Sequence, residues 1–390
     1  MKKVRFGIIG CGGMGSAHAR QIMATGARDF CLTAVSDSKP ARAEAVAAAH
    51  GLECFADDYE LMDSGLVDAV LIATPHYYHP PLTIAAARRK LHVLCEKPIA
   101  VSVGPARAMV AECRKRRVAM GVMFQQRNRP EMLKLKQMVD AGAVGDIFRI
   151  QMICSSWYRT QSYYNSGAWR GTWDGEGGGI LINQAPHSLD LFQWIGGMPR
   201  RVMASVGTRI HKIEVENTAN AILEYPRGKI GYIYATTAEA PGMEQLMVCG
   251  NKGTLVAERG KLRFGKLSAD IPRHLLKTKA SMGAPRTTWK DVPLPKTRGT
   301  HMNIVKAFVG HLLRGRALAA TGAEGINELE LSNAIYIAGY KGKAVDLPVS
   351  AAEMERLLNE LVRRRGTGKG GNLRKAAGRE LKRLLGKFPA

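Results

Sequence analysis

The feature that most constrains this chain is Gly10-Cys11-Gly12-Gly13-Met14-Gly15, a G-x-G-x-x-G run between a strand-like and a helix-like segment. Val4 to Ile9 is a short apolar run of β character, and Ser16 to Ala24 is rich in helix formers. In such a unit Gly10 permits the tight turn, Gly12 lets the backbone approach a pyrophosphate, and Gly15 lets helix and strand pack closely. Phosphates then rest at the helix N-terminus, where unpaired N–H groups and the positive dipole end favour anions. Cys31 to Ser36 reads as a second strand ending in Asp37. An acidic residue about 20 positions past the glycines is where a ribose 2′-hydroxyl is held. The competing reading makes Asp37 a cap for the next helix. NAD is the expected cofactor and NADP the lesser one, because Asp37 repels a 2′-phosphate; Ser38, Lys39 and Arg42 soften that preference.

Beyond Asp37 the pattern alternates. Helices are expected over 41–50, 58–62, 82–89 and 104–117, with strands over 52–55, 67–74, 92–95 and 119–124. The segment Val67 to Thr74 is almost continuously apolar, which suits a parallel strand buried on both faces. A doubly wound parallel sheet follows, and its ligands bind past the carboxyl ends of the strands. Three such ends carry polar residues. Thr74 and Pro75, with His79, follow one strand; Glu96, Lys97 and Pro98 follow the next; Gln125 and Arg127 follow the last. Pro98 disfavours helical geometry at Lys97 and holds it extended at the mouth of the sheet. His76 and His79 form an H-x-x-H without partner ligands, so they read as turn and cap residues and no metal site is assigned.

After a connecting helix over 130–141 the pattern changes to consecutive strands, over 147–155, 201–208, 218–225, 229–236, 244–249 and 253–258. These predict a large, mostly antiparallel sheet in a second, α+β domain. Among them lies an unusual stretch with Trp157, Arg159, Tyr163, Tyr164, Trp169, Arg170 and Trp173, then Gly177-Gly178-Gly179 and Asn183 to Asp190. Aromatic faces beside hydroxyls and an arginine suit a polyhydroxylated ring, stacking its C–H face and pairing its oxygens. Ordinary loop packing is the plainer alternative. Residues 269–298, rich in Lys, Arg and Pro, read only as loop, and no motif ties His301 to a substrate.

A chain of 390 residues has room for two domains with real cores. The expected division is 1–127, 128–349 and a C-terminal helix with basic tail over 350–390. The formal net charge is +24. Part of the excess lies between Arg363 and Lys387, where ten basic residues are offset by Glu380 alone. Such a run suits either an anionic partner or a solvated, partly helical tail. The second reading is preferred, because Phe388 alone offers a base anything to stack on. Nucleic acid is therefore not an expected partner. Seven scattered cysteines without a C-x-x-C pair argue for reduced thiols. With no membrane-length apolar run, and Met1-Lys2-Lys3 leading straight into the first strand, a cytoplasmic location is expected.

Taken together, the glycine run, Ala73-Thr74-Pro75 with His79, Glu96-Lys97-Pro98, the triple glycine leading to His187 and Asp190, and the closing segments Thr321 to Gly325 and Val345 to Val349 resemble the Gfo/Idh/MocA family of oxidoreductases. The resemblance covers nearly the whole chain. It implies a homodimer or homotetramer built on the open sheet. It also implies hydride transfer between a nicotinamide and a ring hydroxyl of a sugar, glycoside (C3 of a glucoside included) or polyol. Lys97 and His187 match the family's working pair. His187 is expected as the base, its ordinary pKa lying nearest working pH, and Lys97 as the group holding and polarising the reacting oxygen. Besides the glycines, Met14, Asp37 and Ser38, the cofactor side is expected to include Thr74, Pro75, His79, Glu96, Lys97, Gln125, Trp169 and Arg170. The substrate side is expected to include Lys97, Arg127, Trp157, Arg159, Tyr163, Tyr164, Asn183 and His187. Asn183 stands where many members carry an aspartate, and it positions by hydrogen bonds without exchanging a proton. It otherwise serves as a helix cap. Two rival readings remain: glycoside cleavage by oxidation and elimination with a recycled NAD, and a non-catalytic nucleotide-sensing regulator.

Overall fold

The structure, a computed structural model, describes residues 3–386; Met1 and Lys2, and Lys387 and Phe388 of the basic tail, lie outside the described residues. Six strands form the first sheet: β1 (Val4–Ile9), β2 (Phe30–Ser36), β3 (Glu53–Phe55), β4 (Ala69–Ile72), β5 (His92–Cys95) and β6 (Met120–Val122). Their order is β3-β2-β1-β4-β5-β6, parallel throughout. The side chains of β4 are all buried, as covering helices on both faces require. The strand order reverses between β1 and β4, which opens a crevice past their carboxyl ends.

Nine strands form the second sheet: β7 (Ile147–Cys154), β8 (Arg201–Gly207), β9 (Thr218–Glu224), β10 (Ile230–Thr236), β11 (Glu244–Gly250), β12 (Gly253–Glu258), β13 (Lys261–Leu267), β14 (Thr287–Asp291) and β15 (Val345–Asp346). The order is β14-β13-β12-β11-β7-β10-β9-β8-β15. Only β7 and β10 run parallel to each other. One face packs on the core. On the other, Met203, Ile222 and Tyr232 lie directly opposite one another across β8, β9 and β10, all exposed.

Strands β13 to β15 were not expected from the sequence, and the segment read as loop over 269–298 contains the helix Ile271–Lys277 and β14. Every residue of β14 is exposed, so an edge strand of this kind carries no apolar alternation to read.

Two helices tie the sheets together. Gly322–Lys341 is closed by a capping box between Thr321 and Glu324 and is buried without a break from Glu328 to Ala338. It packs on β8, on the helix Val103–Arg116 beside the first sheet, and on the helix Pro186–Gly196. His301–Arg314 returns to the first sheet, placing Ile304, Val305, Phe308 and Val309 in one core with Val4, Phe6 and Ile8. The tail forms the helices Ala351–Arg365 and Leu373–Leu385. The second buries Ala377 and Leu381 and packs on the helix His79–Arg88. Among the tail's basic residues, Arg364 and Arg383 pair within one turn with Glu360 and Glu380, and Arg374 reaches Glu355 on the preceding helix.

Candidate active site

The glycine turn meets the end of β4. Gly10 has φ +95°, and a Cβ there would lie 2.8 Å from the Ala73 carbonyl oxygen. At Gly15 a Cβ would fall 1.8 Å from the carbonyl of Gly10, so only glycine lets the helix Gly13–Thr25 sit this close to its strand. In front of Gly12 and Gly13 the space is open, and the helix has no side-chain cap. Its first N–H groups are free for an anion, which fits a dinucleotide pyrophosphate. Asp37 is buried beside them: Oδ2 accepts from the Cys11 N–H at 2.8 Å and Oδ1 from the Lys39 N–H at 2.8 Å. The cap residue of the next helix is Lys39, so Asp37 is not its cap. Each carboxylate oxygen keeps a lone pair for a ribose hydroxyl. Ser38 and Met14 lie exposed alongside, and Thr74 Oγ1 is buried without a partner next to Pro75.

Two expected cofactor contacts, His79 and Glu96, are buried and hydrogen-bonded within the protein. The ring nitrogens of His79 lie 2.9 Å from the Thr74 carbonyl and 2.8 Å from the Pro98 carbonyl. A neutral imidazole donates to one of them at a time, so the His79 N–H is spent on a main-chain carbonyl just past β4 or β5. Glu96 is also buried, its Oε1 2.6 Å from His18 Nε2 on the dinucleotide helix. Both side chains are engaged in these contacts.

Lys97 and His187 come together from different halves of the chain. Lys97 Nζ donates to the Asn183 carbonyl at 2.7 Å. Burial pulls its pKa down, against the opposing charges of Glu96, Glu328 and Glu176. His187 occupies the first turn of the helix Pro186–Gly196, its ring edge-on to Phe124 and its Nε2 3.2 Å from Gln125 Nε2. Burial, reinforced by the charge on Lys97, lowers its pKa to about 3. Its Nδ1, Gln125 Oε1 and Gln184 Oε1 are buried without partners. Orphaned groups of this kind are expected where a ligand or water completes the hydrogen bonding.

The aromatic stretch forms one wall, a ladder of rings and guanidinium groups. Arg159 lies over Trp157 at 5.5 Å and over Tyr163 at 4.8 Å, and Arg170 lies over Tyr163 and Trp169, both at 4.5 Å. The Tyr163 hydroxyl accepts from Arg170 at 2.7 Å, Gln184 at 3.2 Å and Asn183 at 3.3 Å. Trp169 stands edge-on to His76, just past the end of β4.

Two expected substrate residues are engaged elsewhere. Arg127 is buried, with Nη2 and Nε donating to Asp190 at 2.6 and 2.7 Å and Nη1 to Glu324 at 2.8 Å. Tyr164 is buried, its hydroxyl 2.8 Å from Thr237 Oγ1. Neither has a free polar edge for a sugar. Asn183 is not a helix cap either, since that position belongs to Ala185. Sequence reading also passed over Glu176, whose Oε2 accepts from the Gly171 N–H at 2.6 Å while Oε1 accepts from Asn183 Nδ2. A lone acid inside Gly175 to Gly179 was the available signal. Glu216 escaped notice for a different reason. It holds Gly179 N at 3.0 Å, Leu181 N at 3.0 Å and the Tyr336 hydroxyl at 2.8 Å, contacts that only the fold creates.

Comparison with known proteins gives the chain's family and fold. Residues 4–124 match the model of an oxidoreductase family with an NAD-binding Rossmann fold, and residues 132–256 match the GFO/IDH/MocA C-terminal domain. Inositol 2-dehydrogenase of Rubrobacter xylanophilus is 28% identical over 337 residues, covering 83% of this chain and 86% of its own. The WlbA dehydrogenase of Bordetella pertussis, solved with NADH and UDP-GlcNAcA, is 28% identical, covering 89% of this chain and all of its own at a TM-score of 0.75. A levoglucosan dehydrogenase solved with NADH and levoglucosan shares the fold at a TM-score of 0.76 and 22% identity, covering 89% of this chain and all of its own.

Proposed function

The chain belongs to the Gfo/Idh/MocA family of NAD-binding oxidoreductases, and from that premise we propose that it interconverts a ring hydroxyl and ketone of a sugar, glycoside or polyol between Lys97 and His187. Bound NAD supplies the hydride acceptor for the oxidative direction. The observation that carries the reading is the Lys97–Asn183 bond, which ties a residue at the end of β5 to the turn leading into His187. Relatives that act on an inositol or hold a nucleotide sugar acid support a polyhydroxylated ring. The wall from Trp157 to Arg170 supports it further, with faces for C–H surfaces and guanidinium edges for oxygens.

In this reading the roles first expected of the pair are exchanged. A base works best with a pKa near the operating pH, and His187, drawn down to about 3, is a neutral but weak one. Lys97, whose pKa burial moves toward neutrality, takes the hydroxyl proton. The neutral imidazole orients that hydroxyl, and Asn183 and Gln125 help to hold the ring. Met203, Ile222 and Tyr232 on the open sheet support a homo-oligomer through that face. A cytoplasmic location rests on the cysteine pattern; among the described residues no helix is long and apolar enough to cross a membrane. The division at 127 and 349 stands as a proposal beside it.

The test is a panel of inositols, methyl and aryl glucosides, free hexoses and nucleotide sugar acids with NAD or NADP, followed by the absorbance of reduced nicotinamide. Turnover of one class, lost in Lys97→Ala and His187→Ala, supports the proposal. Tight NAD binding with no turnover of any class overturns it.

A further inference from the structure

Asn183 removes a carboxylate from the site, and the surrounding structure places another directly behind it. Glu176 is buried in the turn before the triple glycine. Its Oε2 accepts from the Gly171 N–H at 2.6 Å, and its Oε1 takes the Asn183 amide. Asn183 spends Nδ2 on Glu176 and on the Tyr163 hydroxyl at 3.3 Å. No donor among the described residues reaches its Oδ1, and its main-chain carbonyl holds Lys97 Nζ at 2.7 Å. An amide whose donor side is committed to a carboxylate has one orientation left.

We propose that Glu176 is a positioning residue of this site: by accepting from Asn183 Nδ2 it turns Asn183 Oδ1 toward the groove as a fixed acceptor for a substrate hydroxyl, and it returns behind the amide the negative charge that Asn183 lacks. The inference rests on the dehydrogenase reading and deepens it. A carboxylate in that place also acts on Lys97, which it faces together with Arg170. The other polar groups around it are His76, whose Nδ1 lies 2.9 Å from the Glu176 carbonyl, and Tyr163 and Tyr164. Burial raises the Glu176 carboxyl to about 7, opposed by the Gly171 and Asn183 donors and by Arg170 and Lys97. The hold on Asn183 is then strongest above neutrality, when the group is ionised.

A charge-exchange cycle tests this. Glu176→Gln leaves a side chain of the same shape that brings an N–H where Gly171 or Asn183 already donates. Asn183→Asp in the native background sets two carboxyls against each other. The double variant Glu176→Gln/Asn183→Asp restores one carboxylate and one amide with their places exchanged. With the panel substrate that turns over, each single change should lower kcat by about ten- to a hundredfold, while the double change recovers most of that loss. NADH affinity, read by fluorescence, should stay within a few-fold in all three. A merely structural residue would not be rescued by a second substitution in the groove. A native rate in Glu176→Gln, or a double variant no better than the worse single one, overturns the proposal.

A second arm does not need turnover, and so separates this inference from the reading beneath it. In protein labelled with 13C at the glutamate carboxyls, buried Glu176 and Glu216 should both titrate near neutrality, and the resonance that vanishes in Glu176→Gln should be the one that moves to higher pH in Asn183→Asp. A resonance lost in Glu176→Gln but unmoved by Asn183→Asp overturns the contact even if no panel substrate is ever oxidised.

Discussion

Lys97 Nζ and the main-chain carbonyl of Asn183 are 2.7 Å apart, and this single bond links the parallel sheet to the segment that carries the helix of His187. Lys97 stands just past β5, and Asn183 four residues before His187. The lysine is held by a neutral carbonyl and not by a carboxylate, so its charge stays only partly compensated in a buried place. Such a group is poised to lose its proton.

Lys97→Met should therefore lower kcat/KM by about 10²- to 10⁴-fold, the usual worth of a positioned acid–base group. NADH affinity should change only a few-fold, since the pyrophosphate site is built on Gly10 to Gly15. Steady-state kinetics with a parallel fluorescence titration decide it, and a variant that loses both equally would point to a cofactor role for Lys97.

The pH profile carries a sign. A lysine acting as base is competent only when neutral, so the oxidative rate should rise with pH toward the lowered pKa of Lys97 and level off above it. His187, at about 3, should contribute no limb between pH 5 and 8. If the rising limb survives in Lys97→Met and disappears in His187→Asn, the base is the histidine.

Asp37→Ser should weaken NAD by roughly ten- to a hundredfold, the loss of hydrogen bonds to a charged acceptor being about 1.5–3 kcal/mol. It should raise the relative use of NADP, because the repelling carboxylate is gone. The ratio of kcat/KM for the two cofactors is the measurement. Part of the loss will show as lower stability, since Asp37 also holds the Cys11 N–H.

Glu328 offers a test on stability alone. It is fully buried, and neither carboxyl oxygen has a partner among the described residues. Burial raises its pKa well above the ordinary value, with Asp190 adding to the shift and Lys97 opposing it. The folded state thus keeps a proton that the unfolded chain releases above about pH 4.3. Stability from this group is complete below that pH and declines as pH rises toward the folded value. Glu328→Gln removes the penalty, so its gain over the native protein in urea unfolding should be small at pH 4.5 and grow to about 1–3 kcal/mol at pH 8. A gain that shrinks with pH would mean the group is ionised in place.

Removing the chain after Gly366 should cost stability without creating or abolishing nucleic-acid affinity. The lost segment includes Thr367, which donates to Glu214 at 2.7 Å, and the helix whose Ala377 and Leu381 are buried. A loss of about 2–4 kcal/mol matches burial of that size. Calorimetry checks it, and salt-dependent RNA binding by the full chain alone would reopen the charged-partner reading of the tail.

Much of the fold was legible in advance because its signals are local. The Gly10 to Gly15 turn, the continuous burial of β4 and the alternation of β9 and β10 each follow from a few neighbouring residues. Strand β14 was not legible, since an exposed edge needs no apolar pattern, and β15 is only two residues long. The polar residues past the ends of the parallel strands were legible too, yet the same local reasoning treated them all alike. It did not show that Glu96 is spent on His18 and His79 on the Thr74 and Pro98 carbonyls.

The sequence by itself determined the dinucleotide unit and the two-sheet plan, because glycine turns and apolar periodicity act over short stretches of chain. Tertiary structure alone decided what each polar side chain is spent on. Arg127 goes to Asp190 and Glu324, Tyr164 to Thr237, and Asn183 to Glu176. The pKa of His187 was decided there too, since its drop to about 3 is the work of burial and of Lys97, which lies 90 residues earlier in the chain. Hydrogen bonding and desolvation depend on what surrounds a group in space, and a chain brings those surroundings together only once it has folded.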